Sequence, residues 1–334
     1  MKKFENLLGY TQEQLKTYLS NFLCGIGYKI SVGDGYVFAK GDVPVLLLAH
    51  MDTARKEIPK TIIKEPTLDG VRIVAEDSIV GGDDRCGCWM IMNIIKKVKC
   101  SVVFLEDEEI GCVGARKFAK TEHAEYIKDN ISFMIELDRR GNNDCVFYSN
   151  DNRDFVKYIE EKTGTKEAIG STSDISVLMR ETGVAGVNLS CGYYKEHTKD
   201  EYVVVSEMEN MMNRVMNFLE SEQEYPKYEY KEKKYTYSNY GKYKNYDEYD
   251  DFDSWYSSSK YSNTAYNLQK SLKSKAKGSL NTLCLTVIVS DEIFDNKFDN
   301  SIKSYGKSSA ECWAKLFMDN EDLSFSMIEE YYFD

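Results

Sequence analysis

Long apolar runs alternate along the first 222 residues with stretches in which apolar side chains recur every three or four positions. Residues 45–49 are continuously apolar and end at His50, while residues 102–105, 132–137 and 185–190 are largely apolar in the same way. Apolar runs of this length without alternation predict strands that are buried on both faces, as in the middle of a parallel sheet. We therefore expect four central strands.

Helices are predicted between these strands. Residues 11–14 have the form of a capping box, and the amphipathic stretch after them ends near Gly25. Residues 86–98 repeat apolar side chains every four positions, and a last helix is expected over residues 206–220. Further helices are expected over residues 114–120, 153–162 and 173–180, and hairpins with turns at 33–35 and 69–70. The pattern predicts an α/β fold with a mixed, mostly parallel sheet flanked by helices.

The composition changes after Glu222. Residues 1–222 are expected to form one catalytic domain. Residues 223–266 combine many tyrosines with charged and small polar residues and almost no aliphatic side chains, so little apolar area offsets the entropy of ordering them. We expect a solvated, mobile linker there, although tyrosines could also make it associate or bind carbohydrate or single-stranded nucleic acid.

Residues 267–334 return to a more ordinary composition. An apolar run over residues 282–289 predicts a strand, and residues 310–317 and 323–332 are expected to be helical. These elements predict a small C-terminal region, whose role the sequence does not indicate.

Charge and cysteine usage limit the classes of function. The chain carries 43 Lys and Arg against 55 Asp and Glu, a net charge of −12, so a nucleic-acid-binding surface is not expected. It lacks an apolar run long enough to span a bilayer, and its first residues do not resemble a signal peptide. Nine cysteines, an odd count, are typical of reduced thiols, with Cys86 and Cys88 on a buried helix face. We expect a cytoplasmic protein.

Two of the three histidines lie beside acids just past predicted strands. His50 directly follows the first apolar run, and His197 lies in an acidic segment after the last one. Ligands bind outside the carboxyl ends of strands in open α/β sheets, so we expect both side chains to bind a metal. Asp52 can accept the second ring N–H of His50, or it can be an acid of a surface loop. His123 lacks such partners and is expected at the surface.

Acids follow two other predicted strands. Adjacent side chains diverge at a strand end, so one of Glu108 and Glu109 can bind a metal while the other takes a proton from water. The alternative for this pair is a solvated acidic loop. Asp138 is a weak signal by itself, because a single acid after a strand often caps a turn. Nitrogen and oxygen donors without thiolate suit zinc, cobalt or manganese.

Taken in order, these motifs resemble those of the co-catalytic di-zinc exopeptidase clan, which holds peptidase T, the zinc aminopeptidases and the acylamino-acid hydrolases. The clan shares a strand-ending His-x-Asp, an Asp-Asp-Lys/Arg-x-Gly, a Glu-Glu-x-Gly, a further acid and a late His. In this sequence the series reads His50-Met51-Asp52, Asp83-Asp84-Arg85-Cys86-Gly87, Glu108-Glu109-Ile110-Gly111, Asp138 and His197. Residues 196–203 are also similar to the end of peptidase T-like sequences. The resemblance covers residues 1–222.

The resemblance implies a peptidase that uses two divalent metal ions, most often zinc. The implied metal ligands are His50, Asp83, Glu109, Asp138 and His197. Asp83 would bridge the ions, because the bridging acid of the clan lies four residues before the glycine, here Gly87. The peptide bond between Asp83 and Asp84 would be cis. Glu108 would be the general base, with Asp52 beside His50, and which of Glu109 and Asp138 accompanies which histidine stays open.

Three features depart from the clan or leave alternatives open. The segments between the motifs hold ordinary strands and helices, so the sequence resembles a minimal catalytic domain without an inserted lid. Arg139 could bind a substrate carboxylate in a bidentate manner, or it could pair with nearby acids. Residues 170–174, which end at Asp174, resemble the turn that the clan places beside the substrate, and they equally have the form of a helix N-cap.

Three functions are compatible with these residues. The resemblance implies first an exopeptidase that removes the N-terminal residue of short peptides. A related amidohydrolase that acts on a small acylated amino compound would need the same side chains. A non-catalytic binding protein, in which the Tyr-rich segment does the work, is disfavoured because all of the motif residues are present.

Overall fold

The continuous apolar runs form the middle of an eight-stranded sheet. The structure, a computed structural model, describes residues 2–68, 70–233, 285–288 and 327–330. The chain divides into one unit over Met1–Tyr237 and a second over Ser238–Asp334. The strands of the first unit are β1 (Ile30–Gly33), β2 (Tyr36–Ala39), β3 (Val43–His50), β4 (Ile62–Thr67), β5 (Gly70–Ala75), β6 (Cys100–Leu105), β7 (Phe133–Arg139), β8 (Asp144–Val146), β9 (Lys166–Ala168), β10 (Gly186–Ser190), β11 (Tyr193–Tyr194) and β12 (Tyr202–Val204).

Eight helices are described in the same unit. They are α1 (Lys2–Leu8), α2 (Gln12–Gly25), α3 (Gly82–Ile94), α4 (Val113–Phe118), α5 (Glu122–Asn130), α6 (Arg153–Thr163), α7 (Asp174–Thr182) and α8 (Val205–Ser221). The predicted capping box is present, since the Thr11 side chain accepts from the Gln14 amide and the Gln14 side chain accepts from the Thr11 amide. None of the described helices is both long and apolar enough to cross a membrane.

The main sheet is mixed and mostly parallel, as predicted. Its strand order is β1-β2-β6-β3-β7-β10-β8-β9. Strand β3 is parallel to β6 and to β7, and β7 is parallel to β10, whereas β2 is antiparallel to β6. His50 is opposite Leu105, so the carboxyl ends of the central strands lie at one edge of the sheet. A smaller antiparallel sheet has the order β11-β12-β5-β4.

The two faces of the main sheet bury two apolar cores. Along β3, Leu47 and Ala49 belong to the larger core and Leu46 and Leu48 to the other, because successive side chains of a strand point to opposite faces. The larger core is completed by residues of α1, α2, α3, α6 and α8, and the other by residues of α4, α5 and α7. Coverage of both faces explains why the central strands are apolar without alternation.

Two predictions about the local structure of the first unit were wrong. His123 is buried rather than at the surface, because its ring packs against Phe38 and Phe118 from α5, a helix that the sequence analysis did not predict. Residues 223–233 are not a solvated linker: the Tyr228 amide donates to the Ser132 carbonyl and its carbonyl accepts from the Ala185 amide, both at 2.9 Å. The Tyr228 ring packs against Phe155 with 5.0 Å between centroids. Aromatic area thus replaces the missing aliphatics here, and the rest of the expected linker lies outside the described residues.

The second unit contains one described pair of strands. Strand β13 (Leu285–Ile288) lies within the predicted strand and is antiparallel to β14 (Met327–Glu330). The helix expected over residues 323–332 was therefore wrong at residues 327–330. The spacing of apolar residues in so short a stretch does not distinguish a helix from a strand. Pairing with a partner strand then determines which of the two forms. The helix expected over residues 310–317 lies outside the described residues.

Candidate active site

The site begins at the carboxyl end of β3, where His50 is buried. Its Nδ1 atom lies 3.2 Å from Asp52 Oδ1, and its Nε2 atom lies 3.0 Å from Asp83 Oδ1 and 3.4 Å from Asp138 Oδ1. Asp52 therefore fixes the ring from behind, and Nε2 points at two carboxylates. This arrangement is the one expected of a histidine that binds a metal through Nε2.

Asp83 lies between the two histidines. Its second oxygen, Oδ2, is 3.2 Å from His197 Nε2, so each carboxylate oxygen faces one imidazole. The peptide bond between Asp83 and Asp84 is cis, as the sequence resemblance implied. His197 has a left-handed backbone conformation, with φ of 64°, and its side chain is 52% exposed. A ligand of bridging type and an open side of the site are thus both present.

The remaining acids divide between the histidines. His197 Nε2 is 2.9 Å from Glu109 Oε2, while Asp138 lies on the side of His50. By direct contact His50 is nearer to Asp138 and His197 is nearer to Glu109, although donor atoms of His50, Glu108 and Glu109 also lie within 4.8 Å of one another. The donor atoms of Asp83, Glu109 and His197 all lie within 4.8 Å of one another.

A second group of donors within the same distance consists of His50, Asp138 and Asp84. Asp84 was not predicted as a candidate. Its Oδ1 accepts from the Gly87 amide at 2.8 Å, and its Oδ2 is buried without a hydrogen-bond partner among the described residues. A Cβ at Gly87 would lie 1.8 Å from the Leu137 carbonyl oxygen and 2.5 Å from Asp84 Oδ2, so only glycine fits there. Asp83 differs from Asp84 in that both of its oxygens face histidines.

Asp52 also determines where the adjacent glutamates point. Its Oδ1 accepts from the Glu108 amide at 3.0 Å and its Oδ2 from the Glu109 amide at 3.1 Å. The two side chains then diverge: Glu109 reaches His197, whereas Glu108 Oε1 lies 3.7 Å from the Cys112 thiol. Burial alone would raise the pKa of Asp52, but the hydrogen bonds from His50 and from both amides lower it below its ordinary value.

The site concentrates negative charge away from water. Burial raises the pKa of Glu108 to about 9, and the neighbouring carboxylates of Asp138, Asp174 and Glu109 add to this. Burial likewise raises the pKa of Asp138 to about 6. Oxygen Oε1 of Glu109 is buried and has no hydrogen-bond partner among the described residues. Buried carboxylates are normally paired or bind metal, so the residues present fit divalent cations.

Several residues that sequence reasoning missed hold the candidate ligands in place. Glu201 accepts from the Asp83 amide at 3.0 Å and from the Gly81 amide at 2.9 Å, and burial raises its pKa to about 7. The buried Arg85 guanidinium donates to the carbonyl oxygens of Met51 and Asp52. Both residues lie within the motifs quoted above, but their partners are distant in sequence, so the contacts could not be predicted.

Asp138 is fixed by three neighbours. Its backbone amide donates to Asn188 Oδ1 at 2.9 Å. The hydroxyl of Tyr193 donates to Asp138 Oδ1, and that of Ser173 to Asp138 Oδ2, both at 3.2 Å. Each oxygen therefore keeps a defined direction, which a metal ligand requires.

The two candidate substrate-binding residues have other surroundings. Arg139 Nη2 lies 3.4 Å from Asp144 Oδ2 and 3.3 Å from the Ile169 carbonyl oxygen, which is the acid-pairing alternative. Asp174 is only 1% exposed, and both of its oxygens are shielded from solvent. It is the first residue of α7, after the capping-box residue Ser173, which corresponds to the N-cap alternative. In this conformation a substrate does not reach Asp174.

Comparison with known proteins places this site in a family. The model of peptidase family M28 matches residues 37–251, which is more than half of the chain and includes every candidate ligand. No curated protein sequence matches the chain.

Solved structures share the fold. The aminopeptidase PepT from Bacillus cereus superposes with a TM-score of 0.53 at 15% identity, covering 66% of this chain and 96% of its own. A tripeptidase from Staphylococcus aureus gives a TM-score of 0.52 at 13% identity, covering 65% and 96%. Identities this low establish only the fold. The extent of the family match, together with the site geometry, identifies the chain as a member of peptidase family M28.

Proposed function

We propose that this protein is a metal-dependent exopeptidase that removes the N-terminal residue of short peptides, with two zinc ions as cofactors. The observation that carries the proposal is the position of Asp83, whose two oxygens face His50 and His197 at 3.0 and 3.2 Å. A carboxylate shared between two imidazoles, each with its own acid, suits two cations. The names aminopeptidase and tripeptidase of the two similar structures support the choice of substrate.

The division of roles follows from the contacts. His50 and Asp138 would hold one ion, His197 and Glu109 the other, and Asp83 both. Two cations there supply Lewis acidity, which polarises the scissile carbonyl and lowers the pKa of the attacking water. Cobalt or manganese would suit the same nitrogen and oxygen donors.

Glu108 acts as the general base and then as the general acid in this proposal. Its carboxylate takes a proton from the attacking water and returns it to the departing amine. Its pKa of about 9 results from burial among carboxylates, and cationic charge beside it acts in the opposite direction. Asp52 positions Glu108 by accepting its backbone N–H, so the base and the His50 ring share one support.

The decisive experiment uses the purified full chain, loaded with zinc, against matched peptides. We expect release of the N-terminal residue from di- and tripeptides, and none from the same peptides with an acetylated N-terminus. N-acyl amino acids serve as substrates for the amidohydrolase alternative. Preferential hydrolysis of the acylated compounds would replace the exopeptidase proposal, and no hydrolysis of any compound by the zinc-loaded protein would refute both.

Two controls make the result specific. The Glu108→Gln variant should be inactive, which excludes a contaminating peptidase as the source of activity. Chelation should abolish hydrolysis, and readdition of zinc, cobalt or manganese should restore it. Full activity in excess chelator, with no metal detected in the protein, would refute the metal-dependent mechanism.

A further inference from the structure

A cavity of about 370 Å³ lies away from the candidate active site, beside the start of β1. Lys99, immediately before β6, and Lys40, immediately after β2, both line it. The other end of β6 is Leu105, which is opposite His50. At about 3.3 Å per residue, the length of β6 separates this cavity from the site by about 16 Å. It is therefore independent of the proposed metal centre.

The floor of the cavity is aromatic and fixed in place. Tyr28, Phe38 and His123 are all buried, and the rings of Phe38 and His123 lie 4.6 Å apart. The Tyr28 hydroxyl donates to the Cys100 carbonyl at 2.8 Å, and His123 Nε2 lies 2.9 Å from Ser31 Oγ. These contacts hold the Tyr28 and His123 side chains in place where they line the cavity.

The rim carries three positive charges. Lys29, Lys40 and Lys99 are exposed, and within the described residues neither Lys29 nor Lys40 forms an ion pair. The Lys40 ammonium lies 4.0 Å from the centre of the Tyr126 ring, and Lys99 lies 3.7 Å from the carboxylate of Asp42, which is 79% exposed. With Lys99 paired to Asp42, Lys29 and Lys40 still leave the rim with a net positive charge, which an anion would offset. Their clustering is notable in a chain of net charge −12.

We propose that this cavity, the lysine pocket, binds a small organic anion whose carboxylate or phosphoryl group contacts the lysine ammoniums and whose apolar body packs on Tyr28 and Phe38. The cavity volume falls in the usual range for small-molecule sites. The lysine ammonium groups repel cations, and they form no charge–charge interaction with a neutral molecule. The aromatic floor distinguishes an organic anion from a simple inorganic one, which would leave that surface unused.

The test is isothermal titration calorimetry of the zinc-loaded full chain with phenyl phosphate, benzoate, inorganic phosphate and benzyl alcohol. We expect saturable binding of phenyl phosphate or benzoate, and at least tenfold weaker binding of inorganic phosphate and benzyl alcohol. Lys40→Met and Lys99→Met should each weaken binding about tenfold, since each removes one charge-assisted contact. The stronger of the two aromatic anions identifies the preferred head group.

The matched control is Lys157→Met, which removes the same charge from an exposed site on α6. It should bind the anion as the unaltered chain does. Anions can also bind to metal ions, and binding of that kind would be unchanged in Lys40→Met and Lys99→Met. The proposal is wrong if the two pocket variants bind like the control, if inorganic phosphate or benzyl alcohol binds as tightly as the aromatic anions, or if no saturable binding is found.

Discussion

Replacement of Asp52 by asparagine tests how one carboxylate supports both a metal ligand and the general base. Oδ1 of Asp52 lies 3.2 Å from His50 Nδ1 and accepts from the Glu108 amide at 3.0 Å, and Oδ2 accepts from the Glu109 amide at 3.1 Å. The side chain is 12% exposed, so water cannot easily replace these contacts. Asp52→Asn keeps the shape of the side chain but places an NH₂ group where one oxygen was.

The magnitude follows from these three contacts. If the asparagine oxygen takes the place of Oδ1, its NH₂ group faces the Glu109 N–H, and two donors oppose each other. The hydrogen bond from the Glu109 amide to a charged carboxylate is lost, and the bonds from His50 and the Glu108 amide then have a neutral acceptor. Together these changes cost about 2 to 4 kcal/mol of interaction free energy. At 1.4 kcal/mol per factor of ten, this equals a loss of about 30- to 700-fold in kcat/KM. Metal affinity should fall about 10- to 100-fold, as for other partners of ligating histidines.

The assay measures kcat/KM on a tripeptide at saturating zinc, and zinc affinity by competition with a chromogenic chelator. The control is Asp34→Asn, because the Asp34 side chain is 83% exposed and pairs with Lys117 at the surface. It should be indistinguishable from the unaltered chain in both measurements. If Asp52→Asn retained its zinc affinity and kcat/KM within threefold, the reasoning that Asp52 positions His50 and Glu108 would be refuted.

Three further predictions follow from the structure. The Glu108→Gln variant should keep both metals and lose at least 100-fold in kcat, whereas the Glu109→Ala variant should lose one metal. Metal analysis of the two purified variants tests this. If Glu108→Gln lost a metal and Glu109→Ala did not, the roles of the two glutamates would be exchanged. Without metal, the melting temperature should fall between about pH 5 and 9. Burial raises the pKa of Glu108 to about 9, and the hydrogen bonds that His197 donates to Asp83 and Glu109 raise its pKa to about 11, so the folded state binds more protons in this range. Bound zinc should reduce this fall in melting temperature. A melting temperature that did not change with pH in the metal-free protein would contradict the raised pKa values of Glu108 and His197. A chain ending at Glu222 should melt lower than one ending at Tyr237, because it lacks the packed tyrosines; equal melting temperatures would show that they contribute nothing.

The sequence predicted the central strands and indicated candidate ligands at their ends because both signals are local. An uninterrupted apolar run such as residues 45–49 specifies a strand covered on both faces, and the first polar residue after it, His50, must lie at the sheet edge. Which candidate ligands lie next to each other could not be predicted from such local patterns. Asp138 approaches His50 because β7 lies directly beside β3, a fact of strand order that no local pattern encodes.

The contacts that support the ligands depend still more on the tertiary fold. Glu201 is far from Asp83 in sequence, yet its carboxylate accepts the Asp83 amide. Taken from sequence alone, Arg85 is an ordinary charged helix residue, but it is 2% exposed and its guanidinium donates to backbone carbonyls. Long polar side chains of this kind can end in water or in the interior, and only the packing of distant segments determines which.

The Tyr-rich segment shows where a compositional argument fails. The scarcity of Leu, Ile and Val predicts that residues 223–266 cannot offset the entropy of ordering, yet Tyr225 and Tyr228 pack on the larger core. A tyrosine ring offers as much apolar area as an aliphatic side chain, and its hydroxyl can find a partner at the edge of the core, as Tyr225 does with the Leu219 carbonyl at 2.6 Å. Composition alone therefore underestimates the packing capacity of such segments, and their tyrosines should be counted as apolar area before a linker is inferred.

The buried acids finally link folding of this unit to its chemistry. Asp83, Asp84, Glu109 and Asp138 lie around His50 and His197, and the side chains of these four acids are largely buried although His197 is half exposed. Histidine protons can offset only part of this charge, and burial raises the pKa of Asp138 and Glu109, so the metal-free arrangement holds protons that must be released when cations bind. The same carboxylates that would make the protein a peptidase should therefore make its stability depend on metal and on pH together, and neither dependence should appear without the other.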